Sequence, residues 1–405
     1  MRIFIKKPFI VVVILFLIFP FSCSQTNKNV EAAPVENLSN AINSFGLHLL
    51  QEMLDLFDEE NVVISPVSIS AALSMTLNGA NDETLNSMKK TLMLENYSPE
   101  AINRYYRNLL DSLPKLDSEV EIKIGNAIWY REDMRVRSAF KKVLKKFYDA
   151  EISKADFKDG SVVNKINGWV RESTQGKISS IIDRVNPTDV MYLLNAVYFK
   201  GNWQHRFDER GTKEAAFYPV ADEKITCQMM NASKKFLYFE NEEVQVVHLP
   251  YGTGKFEMVV ILPKENVSLD SLVKGVDTTS FLNWLTTGAK ITVNLSMPKF
   301  KMEYKKSLKD ALSEMGMEDA FSPKADFPGM VEDEKLNISD VKHKTFIEVN
   351  EKGTEAAAVT GVTMVLSSVR PMEPHRMNVN RPFIFLITEN QHKNILFMGK
   401  IGRPQ

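Results

Sequence analysis

Ser87-Met88-Lys89-Lys90 places a serine three residues before a lysine. That S-x-x-K spacing is the nucleophile motif of penicillin-recognising enzymes, whose chemistry also needs an S-x-N and a K-T-G to hold the substrate. Neither companion occurs, and two residue types three apart arise readily by chance in a chain rich in Ser and Lys. The segment reads better as a solvated helix surface. The six histidines (His48, His205, His248, His343, His375, His392) show no paired spacing. There is no G-x-S-x-G elbow, no H-E-x-x-H pair, no phosphate-cradling G-x-x-x-x-G-K-[ST] and no Cys/His cluster at metal spacing. The sequence therefore predicts neither an enzyme nor a metal or cofactor site.

The two cysteines are set for different chemistry. Cys23 closes a segment with a basic start (Arg2, Lys6, Lys7), an apolar run from Phe9 to Phe21 and a small Ser22. The run is short for a spanning helix and has the grammar of an export signal. A small residue before a lone cysteine points to a bacterial lipoprotein signal, cleaved before Cys23 so that its sulfur carries lipid; a plain signal peptide is the alternative. On this reading residues 1–22 are signal, 23–40 a polar tether and 41–405 the folded domain. The protein is then exported, as an outer-membrane or cell-surface lipoprotein or in secreted form, with membrane contact only through the lipid. Cys227 lies in "ITCQMM" without a disulfide partner and reads as a buried small hydrophobe.

The elements that would position any site are legible in outline. With 44% hydrophobic and 25% charged residues the chain has ample material for one core. A net charge of −1 gives no electrostatic reason to expect nucleic acid. Helix and strand patterns alternate irregularly, which predicts an α+β domain. In "SPVSISAALSMTLNGA" Ser65 is an N-cap, Pro66 the first helical residue, and Ile69, Leu73 and Leu77 fall four apart. "SLKDALSEMG" predicts a second helix on Leu308, Leu312 and Met315, stopped by Gly316. "VMYLLNAVYFKG" is apolar from Val190 to Phe199 except at Asn195, as in a strand covered on both faces, where the lone amide must find partners. "FEMVVILP" predicts a strand, and "RPFIFLITEN" with "NILFMGKI" a hairpin.

One stretch fits neither helix nor ordinary strand. "EKGTEAAAVTGVTMVLSSVR", residues 351–370, carries Gly353 and Gly361 and a β-branched run from Val359 to Val365, all unfavourable to helix. Taken as extended, one face receives Thr354, Ala356, Ala358, Thr360, Val362, Met364 and Leu366, and the other receives the only charge, Glu355. No proline occurs from Gly353 to Arg370, so every backbone N–H could join a ladder; Pro371 and Pro374 follow at once. Such a segment could slide between existing strands. Parity alone leaves an ordinary strand equally open.

At these residues the sequence resembles the serpins. The resemblance runs from about Asn40 to the C-terminus and is carried by "NVVISPVSISAALSMTLNGA", "INGWVRESTQGKI", "LLNAVYFKGNW", "LPYGTGKFEMVVILP", "SMPKFKMEYKKSLKDALSEMGMEDAFSPKADFPGM", "VKHKTFIEVNEKGTEAAAVTG", "NRPFIFLI" and "LFMGK". With the export signal it is closest in type to the family's bacterial branch. The resemblance implies a serpin fold of about nine helices and three β-sheets with an exposed reactive-centre loop. It implies a monomeric suicide-substrate inhibitor of serine proteases, trapping its target by loop cleavage and insertion into the main sheet. A non-inhibitory serpin acting as a binding protein is the alternative. Position by position, Glu351, Gly353, Thr354, Glu355, Ala356, Ala357 and Ala358 correspond to the hinge. The reactive bond falls at Ser367-Ser368, with cleavage after Leu366 as a rival. Leu366, Met364 and Val365 suit elastase-, chymotrypsin- and subtilisin-like enzymes; Arg370 suits a trypsin-like one, and papain-like cysteine proteases are further partners. Ser65, Ser68, Asn195 and His343 match the shutter beneath the parting strands. Trp203, Lys299 and Glu351 match the breach above them. Because no basic helix stands out between Asn81 and Leu110, no polyanionic cofactor is expected.

Overall fold

The structure, a computed structural model, describes residues 35–332, 335–354 and 374–405. Among them are nine α-helices and two hydrogen-bonded sheets. The smaller sheet matters most. Its strands are β1 (Val120–Arg131), β2 (Glu151–Ala155), β3 (Met191–Asn202), β4 (Phe300–Ser307), β5 (Asp340–Asn350) and the two-residue β6 (Gly353–Thr354). They lie in the order β4-β5-β6-β3-β1-β2, with β5 also paired directly to β3.

The unbroken apolar run of β3 has its reason in two cores. Leu193, Val197 and Phe199 join the main core, whereas Tyr192, Leu194, Ala196 and Tyr198 join a second cluster. The second cluster is closed by Val162, Ile166 and Val170 of helix α3 (Ser161–Ser173). A strand buried on both faces has no position to spare for a charge. Beneath the sheet, helix α1 (Pro66–Leu77) begins at Pro66 after an extended Ser65, and all twelve residues are buried. A helix apolar or small all round can only sit inside a core.

The larger sheet holds nine strands, including Phe256–Pro263 and the antiparallel hairpin Phe383–Glu389 with Ile395–Ile401. Two of the three sheets implied by the resemblance share strand Ile225–Glu240, which is long enough to pair with Ala289–Pro298 along most of its length and with Val244–Tyr251 at its end. They are thus one continuous ladder. The helix expected on "SLKDALSEMG" is shorter than its pattern. The α-helix covers only Lys309–Leu312; a wider turn follows and is kinked at Gly316, with Met317 fully buried and Met315 half-buried against the same core. The kink at Gly316 takes φ to 103°, where glycine is favoured. Cys227 is buried and unpaired, and burial pushes its thiol pKa up.

Candidate functional site at the seam between two parallel strands

β3 and β5 run parallel and pair from Tyr192 opposite Asp340 to Tyr198 opposite Phe346. Above that point they diverge, and β6 enters the gap. Thr354 stands between Gly201 of β3 and Val349 of β5, and Gly353 between Asn202 and Asn350, antiparallel to both neighbours. Gly353 has to be glycine: its φ is +152°, and a Cβ there would lie 2.0 Å from the Gly201 carbonyl oxygen. Thr354 is fully buried, its hydroxyl 2.6 Å from the Tyr251 hydroxyl. Thr354 is the first residue assigned to the inward face by sequence parity, and the rest of that face lies outside the described residues.

The top of the gap is held by several contacts. Lys299 Nζ lies 3.0 Å from Glu351 Oε2, and the Thr212 hydroxyl donates to Glu351 Oε1 at 2.7 Å. Burial works to raise the Glu351 carboxyl, but these two donors and a backbone N–H outweigh it and hold it below the ordinary glutamate value. Trp203 Nε1–H donates to the Asn350 carbonyl at 2.8 Å, and its ring stacks on Tyr251 with centroids 4.3 Å apart. The backbone N–H groups of Trp203 and Phe207 donate to the carbonyls of Lys352 and Glu351. Trp203, Lys299 and Glu351 are brought together as one cluster.

A second cluster lies halfway down the seam, where Asn195 and His343 are directly paired residues of β3 and β5. The backbone N–H of Ser65 donates to His343 Nε2 at 3.2 Å, so the ring proton is on Nδ1. Nδ1–H then donates to Asn195 Oδ1 at 2.8 Å. Asn195 Nδ2 in turn faces the hydroxyl of Ser68, its carbonyl at 3.1 Å, and Asn126 Oδ1 of β1 at 2.9 Å. Complete burial pushes the His343 pKa down to about 3, so the ring is neutral at ordinary pH. Ser65 takes part through its backbone; its hydroxyl is buried with no hydrogen-bond partner among the described residues.

Cys23, Glu355, Ala356, Ala357, Ala358, Leu366, Ser367 and Ser368 lie outside the described residues. Ser87 sits on helix Asp82–Thr91 and donates to the Thr84 carbonyl of its own helix, while Lys90 is exposed. Among the described residues no group of His, Cys, Asp and Glu could hold a metal, and no helix is long and apolar enough to cross a membrane.

Comparison with known proteins decides the family. A family model described as Serpin (serine protease inhibitor) matches residues 40–404. The chain belongs to the serpins. Its relatives include human Serpin B8, 36% identical over 380 residues, covering 91% of this chain and 100% of that protein. Intracellular coagulation inhibitor 2 of Tachypleus tridentatus is 34% identical over 373 residues, covering 90% and 91% of the two chains. Among solved structures, the thermophilic serpin tengpin in the native state superposes with a TM-score of 0.84 at 36% identity, covering 91% of this chain and 94% of tengpin. Human thyroxine-binding globulin with thyroxine bound gives 0.83 at 29%, covering 92% and 99%. In this serpin the residues that sequence reading missed are Asn126, Tyr251 and Thr212. Asn126 carried the signal already used for Asn195, a lone amide inside the apolar strand "IGNAIWY". Tyr251 and Thr212 carried none, because their partners are more than 100 residues away.

Proposed function

We propose that this serpin inhibits serine proteases once per molecule, by letting itself be cut. The observation that carries the proposal is the seam: β6 sits between β3 and β5 in the register that the whole gap would accept. Continued downward, Ala357 would stand opposite Phe346 and Tyr198, and Thr363 opposite Asp340 and Tyr192, the two ends of the present parallel ladder. Insertion would replace one parallel ladder by two antiparallel ones, which are somewhat more stable per residue.

In this reading a protease serine attacks the loop, forms an ester with the carbonyl carbon of the cut bond and releases the downstream amine. The freed strand runs into the seam before water hydrolyses the ester, and the tethered enzyme is pulled out of shape. The serpin is then a trap, not a turnover catalyst. A cut at Ser367-Ser368, or after Leu366, leaves enough chain to reach the bottom of the ladder. Leu366, Met364 and Val365 would serve elastase-, chymotrypsin- and subtilisin-like enzymes, Arg370 a trypsin-like one, and a papain-like cysteine protease would be held as a thioester. Glu351 and Gly353 to Ala358 act as hinge. Ser65, Ser68, Asn195 and His343 act as the shutter that must part, and the Lys299–Glu351 pair with Trp203 acts as the latch above it. The likeness to an intracellular coagulation inhibitor supports the reading. Export, with lipid on Cys23 and a tether shorter than the 23–40 expected, since helix Val35–Leu56 already buries Leu38 and Ser39 in the domain, would set the monomer facing proteases outside the cell.

The likeness to thyroxine-binding globulin supports a second reading, a serpin that binds a ligand without inhibiting. Incubation with elastase, subtilisin, trypsin and papain separates the two. We expect a covalent complex that survives SDS and boiling, with a released C-terminal peptide whose mass begins at Ser368 or Ser367. Absence of any such complex across the panel, with clean loop cleavage, would leave the binding reading.

A further inference from the structure

β1 is paired along its whole length to β3, but β2 meets its other edge only from Ala127 onward. Beside residues 123–126, where a strand could continue, there is instead a cavity of about 600 Å3. That is within the range that holds small ligands. Helix α3 forms one wall with Trp169 and Ser173, packed so closely that a Cβ on Gly125 would lie 3.0 Å from Ser173 Cβ. Helix α2 (Ser138–Tyr148) forms another and contributes Lys141 and Lys145, with Lys123 projecting from β1. Lys123 and Lys145 are exposed and form no ion pair among the described residues; Lys141 donates to the Tyr130 hydroxyl at 2.8 Å. Two carboxylates, Asp149 and Glu151, also line the space, so the three ammonium groups leave it cationic by one charge. The remaining lining includes Ile124 and Ile152.

We propose that this cavity binds a flat organic anion, a carboxylate or phosphate on an aromatic body. The anionic group would pair with Lys123 and Lys145, and the ring would lie against Trp169. The unpaired edge of β1 offers backbone N–H groups that a compact inorganic ion would not span. The site touches the seam through one residue. Asn126 lines the cavity, and its Oδ1 accepts from Asn195, the partner of His343. A bound ligand joins β1 to helix α3 on the flank toward which β3, β1 and β2 would have to move to admit a strand, a shift of about one strand spacing, ~4.8 Å. That last consequence rests on the inhibitory reading; the binding site does not.

The test uses the intact, uncleaved protein and no protease. Isothermal calorimetry with 2-naphthoate and with phenyl phosphate tells the two anionic groups apart, and 2-naphthamide is the neutral control. Expected are saturable 1:1 binding of at least one anion and at least tenfold weaker binding of the amide. The double variant Lys123→Gln, Lys145→Gln, changed only at exposed ends, should lose tenfold or more. Hydrogen exchange should slow with ligand in peptides covering residues 120–126 and 191–198. No saturable binding of either anion, equal binding of the amide, or an unchanged double variant would each overturn the site. Binding without added protection at 191–198 would overturn its link to the seam.

Discussion

Two single atoms decide much of this molecule's behaviour. The absent Cβ of Gly353 lets the chain pass the Gly201 carbonyl, and Gly353→Val would put carbon 2.0 Å from that oxygen, where only backbone could yield. The variant should keep its fold and be cleaved at the loop, but its covalent complexes with a target protease should fall at least tenfold, read on denaturing gels. The other atom is the proton on His343 Nδ1. With the folded pKa lowered to about 3 and an unfolded value near 6.5, the unfolded chain binds the extra proton between those pH values. The stability this group contributes is full above about pH 6.5 and is lost as pH falls toward 3, at up to about 1.4 kcal/mol per pH unit. Unfolding rates followed by tryptophan fluorescence from pH 7.5 to 4.5 should rise accordingly. His343→Gln should flatten that dependence while lowering stability at pH 7.5, because Gln keeps a hydrogen-bonding head without a proton to gain. Glu351 titrates in the same direction but only below the ordinary glutamate range, so the two are separable by pH.

At the scale of elements, the inhibitory reading makes the seam a competition between one parallel ladder and two antiparallel ones. Thr354→Arg would force a charge into a fully buried position against Tyr251, a cost of several kcal/mol for an unpaired ion. On the inhibitory reading it should expel β6 and leave a protein that is cleaved without forming complexes; undiminished complex formation would refute insertion through this register. The latch is weaker. Lys299 is partly exposed, so its pair with Glu351 contributes about 1 kcal/mol or less after screening by solvent. Lys299→Gln should therefore speed spontaneous loss of inhibitory activity at 37 °C by roughly fivefold at most, and high salt should reproduce part of that in the parent protein.

For the whole molecule, the inhibitory reading requires that the seam between β3 and β5 accept one more strand after cleavage. Filling the seam would add on the order of ten ladder hydrogen bonds net, about 0.5–1.5 kcal/mol each. Cleavage at Ser367 or Leu366 should thus raise the thermal midpoint by roughly 10 °C or more, measured by calorimetry with both fragments retained. A cut serpin that melted where the uncut one does would fit a binding protein instead. Insertion would also set Thr360 between Asn195 and His343, the pair that now bridges the seam. A hydroxyl there could accept from Nδ1–H and donate to Asn195 Oδ1, so the shutter could reclose on the new strand.

The amino-acid order by itself determined whatever depends on near neighbours. Burial on both faces of Met191–Asn202, the start of α1 at Pro66 and the break in helical backbone at Gly316 are all consequences of spacing within a dozen residues. Family resemblance extended this to Asn195 with His343 and Lys299 with Glu351, pairs that spacing does not connect. Only the tertiary structure decided what those groups meet. The His343 tautomer follows from a backbone N–H 278 residues away, Asn195 reaches Asn126 across a strand pair, and Tyr251 closes over Thr354 from the other sheet. Periodicity is written locally because each side chain's face follows from the backbone repeat. Partners across a seam are chosen by which strands close on which, and that choice is made by the whole core at once.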